Sequence, residues 1–303
     1  MVSGIVGGSV ADPTRYPYFC GHVTTREVVG ESATIRGGTL IAPDVVLTDA
    51  GRITPDFDGN AVLSIKVWVN KTSVEKSGYE YERNARFWLP HPDADYDIVD
   101  NYIGLIFLDE PVIGVPLVKL NRKTSIPKTG QSFTAIGLGL TNDVPEVFPE
   151  NLMQVGGVDA VPWDVCTKAM EPGVFVEDLG FCAGGERRGP CWYDGGAPLL
   201  DLTDKRSAHP DKDVQVGIYV SGSLPTDTLG SDNEQCMLRG YPAYFARVSH
   251  YAKWIDSSVR MHSQYSTKGS KKGSKKSHKD IFDDRDKDNL KGGKKGGIRN
   301  RHI

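Results

Sequence analysis

The side chains best suited to chemistry in this sequence are those of its five cysteines and seven histidines. Four of the cysteines lie in the second half of the chain, at spacings that suit two local loops: Cys166, Cys182, Cys191 and Cys236. A structural zinc site would need C-x-x-C pairs or histidines close to the cysteines, and neither pattern is present. We therefore predict disulfides in an oxidising compartment, no metal and no cofactor, and Cys20 left unpaired.

Many short strands would have to position these residues. The chain contains 34 glycines and 18 prolines, and short apolar segments alternate with turns, which is typical of an all-β protein. Strands are predicted at 33–42, 45–48, 62–69, 103–108, 132–137 and 214–220. One helix is predicted over 250–262, with Ser249 as its N-cap and an apolar stripe that includes Tyr251 and Ile255.

Charge is distributed unevenly along the chain. The formal net charge is -3, yet residues 263–303 hold 13 Lys and Arg against 5 Asp, so the rest carries the acidic excess. The lysine-, glycine- and serine-rich repeat at 268–276 cannot bury enough surface to offset its ordering entropy, so a disordered tail is predicted from Ser263. No run of 18 apolar residues occurs, so no transmembrane span is predicted.

Six segments resemble, in chain order, the landmarks of the trypsin/chymotrypsin-like serine proteases (peptidase S1). These segments are 5–8, 37–48, 91–92 with 101–106, 181–184 with 191–199, 217–218, and 244–255. The resemblance implies an all-β fold of two six-stranded Greek-key β-barrels with a C-terminal helix. It also implies three regions: a residual N-terminal segment at 1–4, a protease-like domain at 5–262, and the tail at 263–303.

The resemblance places all three catalytic functions on residues that cannot perform them. The family uses a serine nucleophile, a histidine base and a carboxylate that orients the histidine. The matching positions here are Gly51 for the histidine, Tyr102 for the carboxylate and Gly195 for the serine. His91 belongs to a surface His-Pro motif of the family, and Asp100 has no histidine to orient. We therefore predict a degenerate triad and an inactive member of the family.

The supporting positions also depart from the family pattern. The oxyanion hole would use the backbone N–H groups of Tyr193 and Gly195, and a Cβ at 193 disfavours the conformation that glycine takes there. The base of the specificity pocket is Gly189, which carries no charge to hold a basic side chain.

One activation feature is retained in part. In the family, the residue matching Asp194 pairs with the amine of a new N-terminus, which Ile5 would supply here. Gly4 precedes Ile5 where the family usually has Arg or Lys, so a tryptic activation cut is not expected. No signal peptide is visible before Ile5. The disulfides nevertheless predict a secreted, extracellular location, and an incomplete N-terminus would account for the missing signal.

The resemblance also implies how the cysteines pair. It implies disulfides Cys166–Cys182 and Cys191–Cys236, whereas Arg36 and Arg52 occupy the two positions of a further family disulfide. Asn70 begins an N-glycosylation sequon, which would lie on the surface of a secreted protein.

These features support three functional hypotheses. The leading one is a pseudoenzyme, a serine protease homologue that binds a peptide, protein or hydrolase partner through its groove and loops. The alternative that the family implies is a serine endopeptidase. The third is binding of silica or another polyanion, including nucleic acid or an anionic membrane, through the basic tail.

Overall fold

Short apolar segments separated by glycine- and proline-containing turns form seventeen strands in the described part of the chain. The computed structural model describes residues 5–265 apart from 28–29, 32–34, 57, 76–77, 79, 96–99, 141, 144–145, 170–174, 203–208, 223–235 and 238. The first eight strands are β1 (Ser9–Val10), β2 (Phe19–Arg26), β3 (Gly30–Glu31), β4 (Arg36–Ala42), β5 (Val45–Thr48), β6 (Val62–Val69), β7 (Tyr81–Pro90) and β8 (Gly104–Leu108). The others are β9 (Lys119–Leu120), β10 (Ser132–Gly137), β11 (Asn142–Asp143), β12 (Glu146–Val147), β13 (Met153–Asp159), β14 (Gly180–Ala183), β15 (Pro198–Asp201), β16 (Val214–Gly222) and β17 (Ala243–Arg247).

The first barrel is closed because β2 and β6, the strands at the two ends of its sheet order, pair with each other. Its strands follow the order β2-β4-β5-β8-β7-β6, and β2 also pairs with β6 from Cys20–Val69 to Arg26–Val62. Closure leaves the six strands without a free edge. The interior contains buried apolar side chains that include Leu40, Ile65 and Ile106.

The second barrel joins six strands in the order β13-β10-β15-β16-β17-β14. An isolated bridge between Ala160 and Ala183 connects the end of β14 back to the end of β13. Strand β1 extends this sheet along β13, and β9 pairs with β16 in parallel. Phe133, Leu199 and Phe245 belong to its core. The prediction of an all-β fold with two six-stranded barrels is confirmed.

Two α-helices accompany the barrels among the described residues: α1 (Trp163–Ala169) and α2 (Val248–His262). Helix α2 follows β17 without a break, so its N-cap is Arg247 and not Ser249 as predicted. Ser249 lies inside the first turn, and its buried hydroxyl has no hydrogen-bond partner. The predicted apolar stripe is correct, because Tyr251 and Ile255 pack against buried residues of β5 and β8.

An ion pair fastens the segment before β2 to the second barrel. The guanidinium of Arg15 donates to both carboxylate oxygens of Asp213, at 2.5 and 2.8 Å, and the Tyr18 hydroxyl donates to the same carboxylate. Asp213 directly precedes β16, so this contact fixes the start of that strand relative to β2. Paired hydrogen bonds of this kind hold planar groups in one orientation.

Most of the predicted basic tail, residues 266–303, lies outside the described residues. Its disorder and its binding of polyanions therefore remain predictions. The last described residues are bound to the first barrel, because the Ser263 hydroxyl and the Gln264 backbone N–H both donate to Asp44.

Candidate functional site

The three predicted triad positions meet between the two barrels. Gly51 follows β5 and Tyr102 precedes β8, and the antiparallel pairing of Thr48 with Gly104 brings these two ends together. Gly195 lies in the loop before β15, where its carbonyl accepts a 2.9 Å hydrogen bond from the Gly37 backbone N–H of β4. The structure therefore brings the three positions together in one place in the fold.

Tyr102 fills the space next to Gly51. A Cβ added to Gly51 would lie 2.7 Å from Cζ and 2.8 Å from Cε1 of the Tyr102 ring, closer than real Cβ atoms approach other atoms. A larger side chain at position 51 is therefore incompatible with the Tyr102 rotamer. The small residue and the large residue are complementary in volume, as neighbours in close-packed protein interiors must be.

Sequence reasoning missed Asp49, which connects two of the predicted positions. One carboxylate oxygen of Asp49 accepts a 2.8 Å hydrogen bond from the Gly51 backbone N–H. The other, Oδ2, would lie 2.8 Å from a Cβ added to Gly195. The side chain is buried, and this burial raises the pKa of the Asp49 carboxyl. The available signal was a charged residue at the end of the apolar strand β5.

Buried polar atoms without partners are concentrated at this place. Among the described residues, His22 Nδ1, Arg36 Nε and Asp49 Oδ2 are buried side-chain atoms with no hydrogen-bond partner. Such atoms are rare in folded proteins, and each calls for an explanation. Clustering of three around the predicted catalytic positions supports a specialised site there.

Arg36 and Arg52, which occupy the two positions of the missing family disulfide, change the electrostatics of this cluster. The Arg36 guanidinium lies over the Tyr193 ring, 4.9 Å from its centroid. Burial and the nearby charge of Arg52 lower the pKa of Arg36. Burial also lowers the pKa of His22 to about 3, with smaller contributions from the same two arginines. His22 is therefore neutral at physiological pH, and its Nε2 lies 3.1 Å from the Thr48 hydroxyl.

Tyr193 adopts the left-handed backbone conformation despite its side chain. Its φ is +72°, a region that glycine enters without strain and other residues rarely adopt. The predicted conflict with a Cβ is therefore tolerated, at a cost of about 1 kcal/mol. The Tyr193 ring packs on Phe148, with 5.2 Å between the ring centroids. The adjacent Trp192 is 42% exposed, so this edge of the site presents aromatic surface.

Asp194 and Ile5 lie close to each other around Gly137. The Asp194 carboxylate accepts hydrogen bonds from the backbone N–H groups of Gly139, at 2.8 Å, and Cys191, at 2.9 Å. A Cβ added to Gly137 would contact both the Asp194 carboxylate and the fully buried Ile5 side chain. Burial raises the pKa of the Asp194 carboxyl to about 7. The two members of the predicted activation pair are thus neighbours, and Val6 also pairs with Gly189.

Met237 occupies the space beside the predicted pocket base. A Cβ added to Gly189 would lie 2.6 Å from the Met237 sulfur atom, and the Met237 side chain is fully buried. Met237 was not among the residues predicted from the sequence.

Two disulfides are present, Cys166–Cys182 and Cys191–Cys236, as the resemblance implied. Cys20 is a free, buried thiol that donates to the Tyr18 carbonyl at 3.4 Å, and burial raises its pKa. The thiol is therefore protonated and shielded from solvent.

The remaining predicted residues lie away from the triad positions. His91 packs against α2, with its ring centroid 4.9 Å from that of Trp254 and 5.4 Å from that of Tyr251. Asn70 directly follows β6, has φ +61° and is half-buried, and the threonine of its sequon, Thr72, is 8% exposed. Glycosylation of Asn70 remains a prediction.

Two further properties concern only the described residues. No group of three His, Cys, Asp or Glu side chains is arranged to hold a metal ion. No helix in that part of the chain is long and apolar enough to cross a membrane.

Two β-barrels with a loop-built site between them define a protein of the chymotrypsin-like fold. The model of the family described as Trypsin matches residues 5–255, so the chain belongs to the trypsin family. A chymotrypsin from Phaedon cochleariae is 26% identical over 269 residues, which cover 86% of this chain and 84% of the relative. A vitellin-degrading protease from Bombyx mori is 25% identical, over 84% of this chain and 85% of the relative. Glucanase inhibitor protein 2 from Phytophthora sojae is 27% identical, over 84% of this chain and 79% of the relative.

Proposed function

We propose that this chain is a non-catalytic member of the trypsin family, a secreted pseudoprotease that binds a peptide, protein or hydrolase partner. The observation that carries the proposal is the Tyr102 ring, which fills the space next to Gly51 where a histidine side chain would begin. A general base has to reach the proton that it abstracts within about 3 Å. With this space filled by a phenol, no imidazole can be placed there.

The neighbouring acidic and basic groups do not replace the missing base. His22 is fully buried and contacts Thr48, and Asp49 is 4% exposed. Neither side chain reaches a substrate that approaches from solvent. At position 195 a nucleophile would also collide with Asp49, because even a Cβ there would lie 2.8 Å from Oδ2. These contacts support a site that has been repacked around the loss of catalysis.

The surface next to the site is suited to binding. Trp192 and Phe148 are 42% and 43% exposed, and Tyr193 packs between Phe148 and the Arg36 guanidinium. Aromatic residues and arginine are enriched at the centres of protein interfaces and among residues that dominate binding energy. One relative is named a glucanase inhibitor, which supports a hydrolase as the class of partner.

Turnover measurements test the loss of catalysis. The protein should be produced in two forms, one with residues 1–4 intact and one with a cleavable leader in place of residues 1–4 that leaves Ile5 as the N-terminus. We expect neither form to hydrolyse peptide esters above the buffer rate, with trypsin assayed in parallel. Family membership favours the alternative, a serine endopeptidase, and sustained turnover by the form with a free Ile5 would establish that alternative.

Binding measurements test the proposed surface. A glucanase serves as the hydrolase probe, and its activity and its binding to the immobilised chain are both measured. Trp192→Ala and Phe148→Ala are expected to weaken the interaction, whereas Leu63→Ala on β6 serves as the control because it also removes an exposed apolar side chain, 56% exposed. Equal losses in all three variants would contradict the assignment of the surface.

A further inference from the structure

Arg36 places a positive charge at the junction of the two barrels. Its guanidinium lies over the Tyr193 ring, 4.9 Å from the centroid, and its Nη1 would lie 3.8 Å from a Cβ added to Gly195. Arg36 is half-buried, and its Nε is enclosed without a hydrogen-bond partner. Nη1 and Nη2 are not among the enclosed unpartnered atoms of the described residues. Since no described group accepts a hydrogen bond from either of them, both nitrogens are open to solvent.

The described carboxylates do not balance this charge with an ion pair. Every ion pair between described residues is made by other groups. The acidic side chains whose charge acts on Arg36 are Asp49 and Asp194, which are 4% and 1% exposed. Burial raises the pKa of both carboxyls, to about 7 in Asp194, and so favours their uncharged forms. The exposed Arg52 adds a second positive charge nearby, so the junction lacks an anion.

Aromatic surface adjoins the unbalanced charge. Tyr193 packs between the Arg36 guanidinium and Phe148, and Trp192 precedes Tyr193 in the chain. Phe148 and Trp192 are 43% and 42% exposed. A guanidinium stacked on an aromatic face presents its N–H groups in one plane, which matches the two oxygens of a carboxylate. A ligand that carries an anion next to an apolar group would therefore contact both parts of this surface.

We propose that Arg36 binds a carboxylate of the partner, carried by an aspartate, a glutamate or a C-terminus that lies next to an aromatic or apolar group. A single negative charge suits the site better than a phosphate dianion, because Asp49 and Asp194 repel a second charge more strongly. The inference rests on the proposed function for the existence of a partner. Its test uses small probes and measures neither hydrolysis nor partner binding, so failure of one idea is distinguishable from failure of the other.

Two small probes isolate the contribution of the carboxylate. N-acetyltryptophan carries a carboxylate close to an indole, and N-acetyltryptophanamide has an uncharged amide in the same place. Binding of each probe is measured by ligand-observed NMR titration at low and at high salt, since screening weakens an exposed charge contact. Inorganic phosphate is titrated in parallel.

Four variants separate the Arg36 charge from general effects. Arg36→Gln removes the charge, and Arg36→Lys keeps the charge without the planar guanidinium. Arg86→Gln is the matched control, because the exposed Arg86 guanidinium also lies over an aromatic ring, 4.9 Å from the centroid of Phe87. Asp49→Asn removes a negative charge near Arg36 and keeps an oxygen that can accept from the Gly51 backbone N–H. Folding of each variant is checked by circular dichroism.

We expect the wild type and Arg86→Gln to bind N-acetyltryptophan saturably, at least about tenfold more tightly than N-acetyltryptophanamide at low salt. Arg36→Gln should lose this preference, Arg36→Lys should keep part of it, and Asp49→Asn should increase it. High salt should reduce the preference in the wild type.

Four results would each overturn the proposal. They are equal affinity of the wild type for the two tryptophan probes, an unchanged preference in folded Arg36→Gln, an equal loss in Arg86→Gln, and tighter binding of inorganic phosphate than of N-acetyltryptophan. If Arg36→Gln does not fold, the wild type and Asp49→Asn decide, because a preference that does not increase in Asp49→Asn also overturns the proposal.

Discussion

The complementary fit of Gly51 and Tyr102 can be measured with a double-mutant cycle. Gly51→Ala places a methyl group 2.7 Å from Cζ of the Tyr102 ring. We expect a loss of about 1.5 kcal/mol in the free energy of unfolding, in the lower half of the range for overpacked cores, because Tyr102 is only half-buried. In a Tyr102→Ala background, Gly51→Ala creates no clash, because the ring is absent. It also restricts the unfolded chain, so it should raise the free energy of unfolding by about 0.5 kcal/mol. The coupling energy is then about 2 kcal/mol, within the range for residues in contact.

Urea denaturation of the four proteins, followed by tryptophan fluorescence and circular dichroism, supplies the cycle. Gly156→Ala is the control substitution, since the nearest atom to its added Cβ would be the Thr134 hydroxyl at 3.8 Å. Its effect should be the same with Tyr102 or Ala at position 102. If Gly51→Ala also has the same effect in both backgrounds, the Tyr102 ring does not occupy the space next to Gly51 and the repacking argument is wrong.

Three further predictions concern stability. Arg15→Ala leaves the buried Asp213 carboxylate without its cation and should reduce the free energy of unfolding by about 3–5 kcal/mol. Arg122→Ala breaks the half-exposed pair with Asp256 and should reduce it by only about 0–1 kcal/mol in the same urea titration. The pKa of Asp194 is raised from 3.8 to about 7, so the folded state holds its proton more tightly than the unfolded state, and the stabilisation present below pH 4 is lost as pH rises through 7. The stability of wild type minus that of Asp194→Asn should fall over this window, and a difference independent of pH would contradict the assignment. Replacing both cysteines of Cys191–Cys236, which are 45 residues apart, should reduce the free energy of unfolding by about 4 kcal/mol through loop entropy. Replacing both cysteines of Cys166–Cys182, which are 16 residues apart, should reduce it by about 3 kcal/mol. The reverse order of stability in thermal melts would contradict the loop-entropy explanation.

The strands with a clear hydrophobic pattern were predictable from the sequence. Segments 62–69 and 132–137 match β6 and β10, and 103–108 differs from β8 by one residue. Strands β7 and β13 were missed. In β7 the residues from Tyr81 to Asn84 are mostly polar and exposed, and β13 contains two adjacent glycines, so neither shows regular alternation. These strands form because a barrel needs each partner in order to close.

In helix α2, the preceding strand overrides the local N-capping signal. Ser249 has the side chain of a good N-cap, yet β17 runs into α2 so directly that the helix begins one residue before Ser249. Capping preferences describe a helix that begins after a loop. Here the end of β17 fixes the start of the helix, and the serine hydroxyl is buried.

The candidate site could be located from motifs, but its new contacts could not. Motif order placed Gly51, Tyr102 and Gly195 together, as the geometry shows. The roles of Asp49 and Met237 depend on which atoms fill a vacated volume, and this requires the three-dimensional packing. Asp49 meets Gly195 across the junction of the two barrels, and Met237 meets Gly189 from another loop. Neither pair is recognisable from spacing along the chain.

The central claim, that this trypsin-family chain has no reactive nucleophile, is tested most directly by a fluorophosphonate probe. The form with a free Ile5 N-terminus is incubated with the probe, and the intact mass is measured, with trypsin treated in parallel. The account predicts that trypsin gains the mass of one phosphonyl group while this chain keeps its mass unchanged. Stoichiometric labelling of this chain at a single residue would contradict the account and identify an active protease.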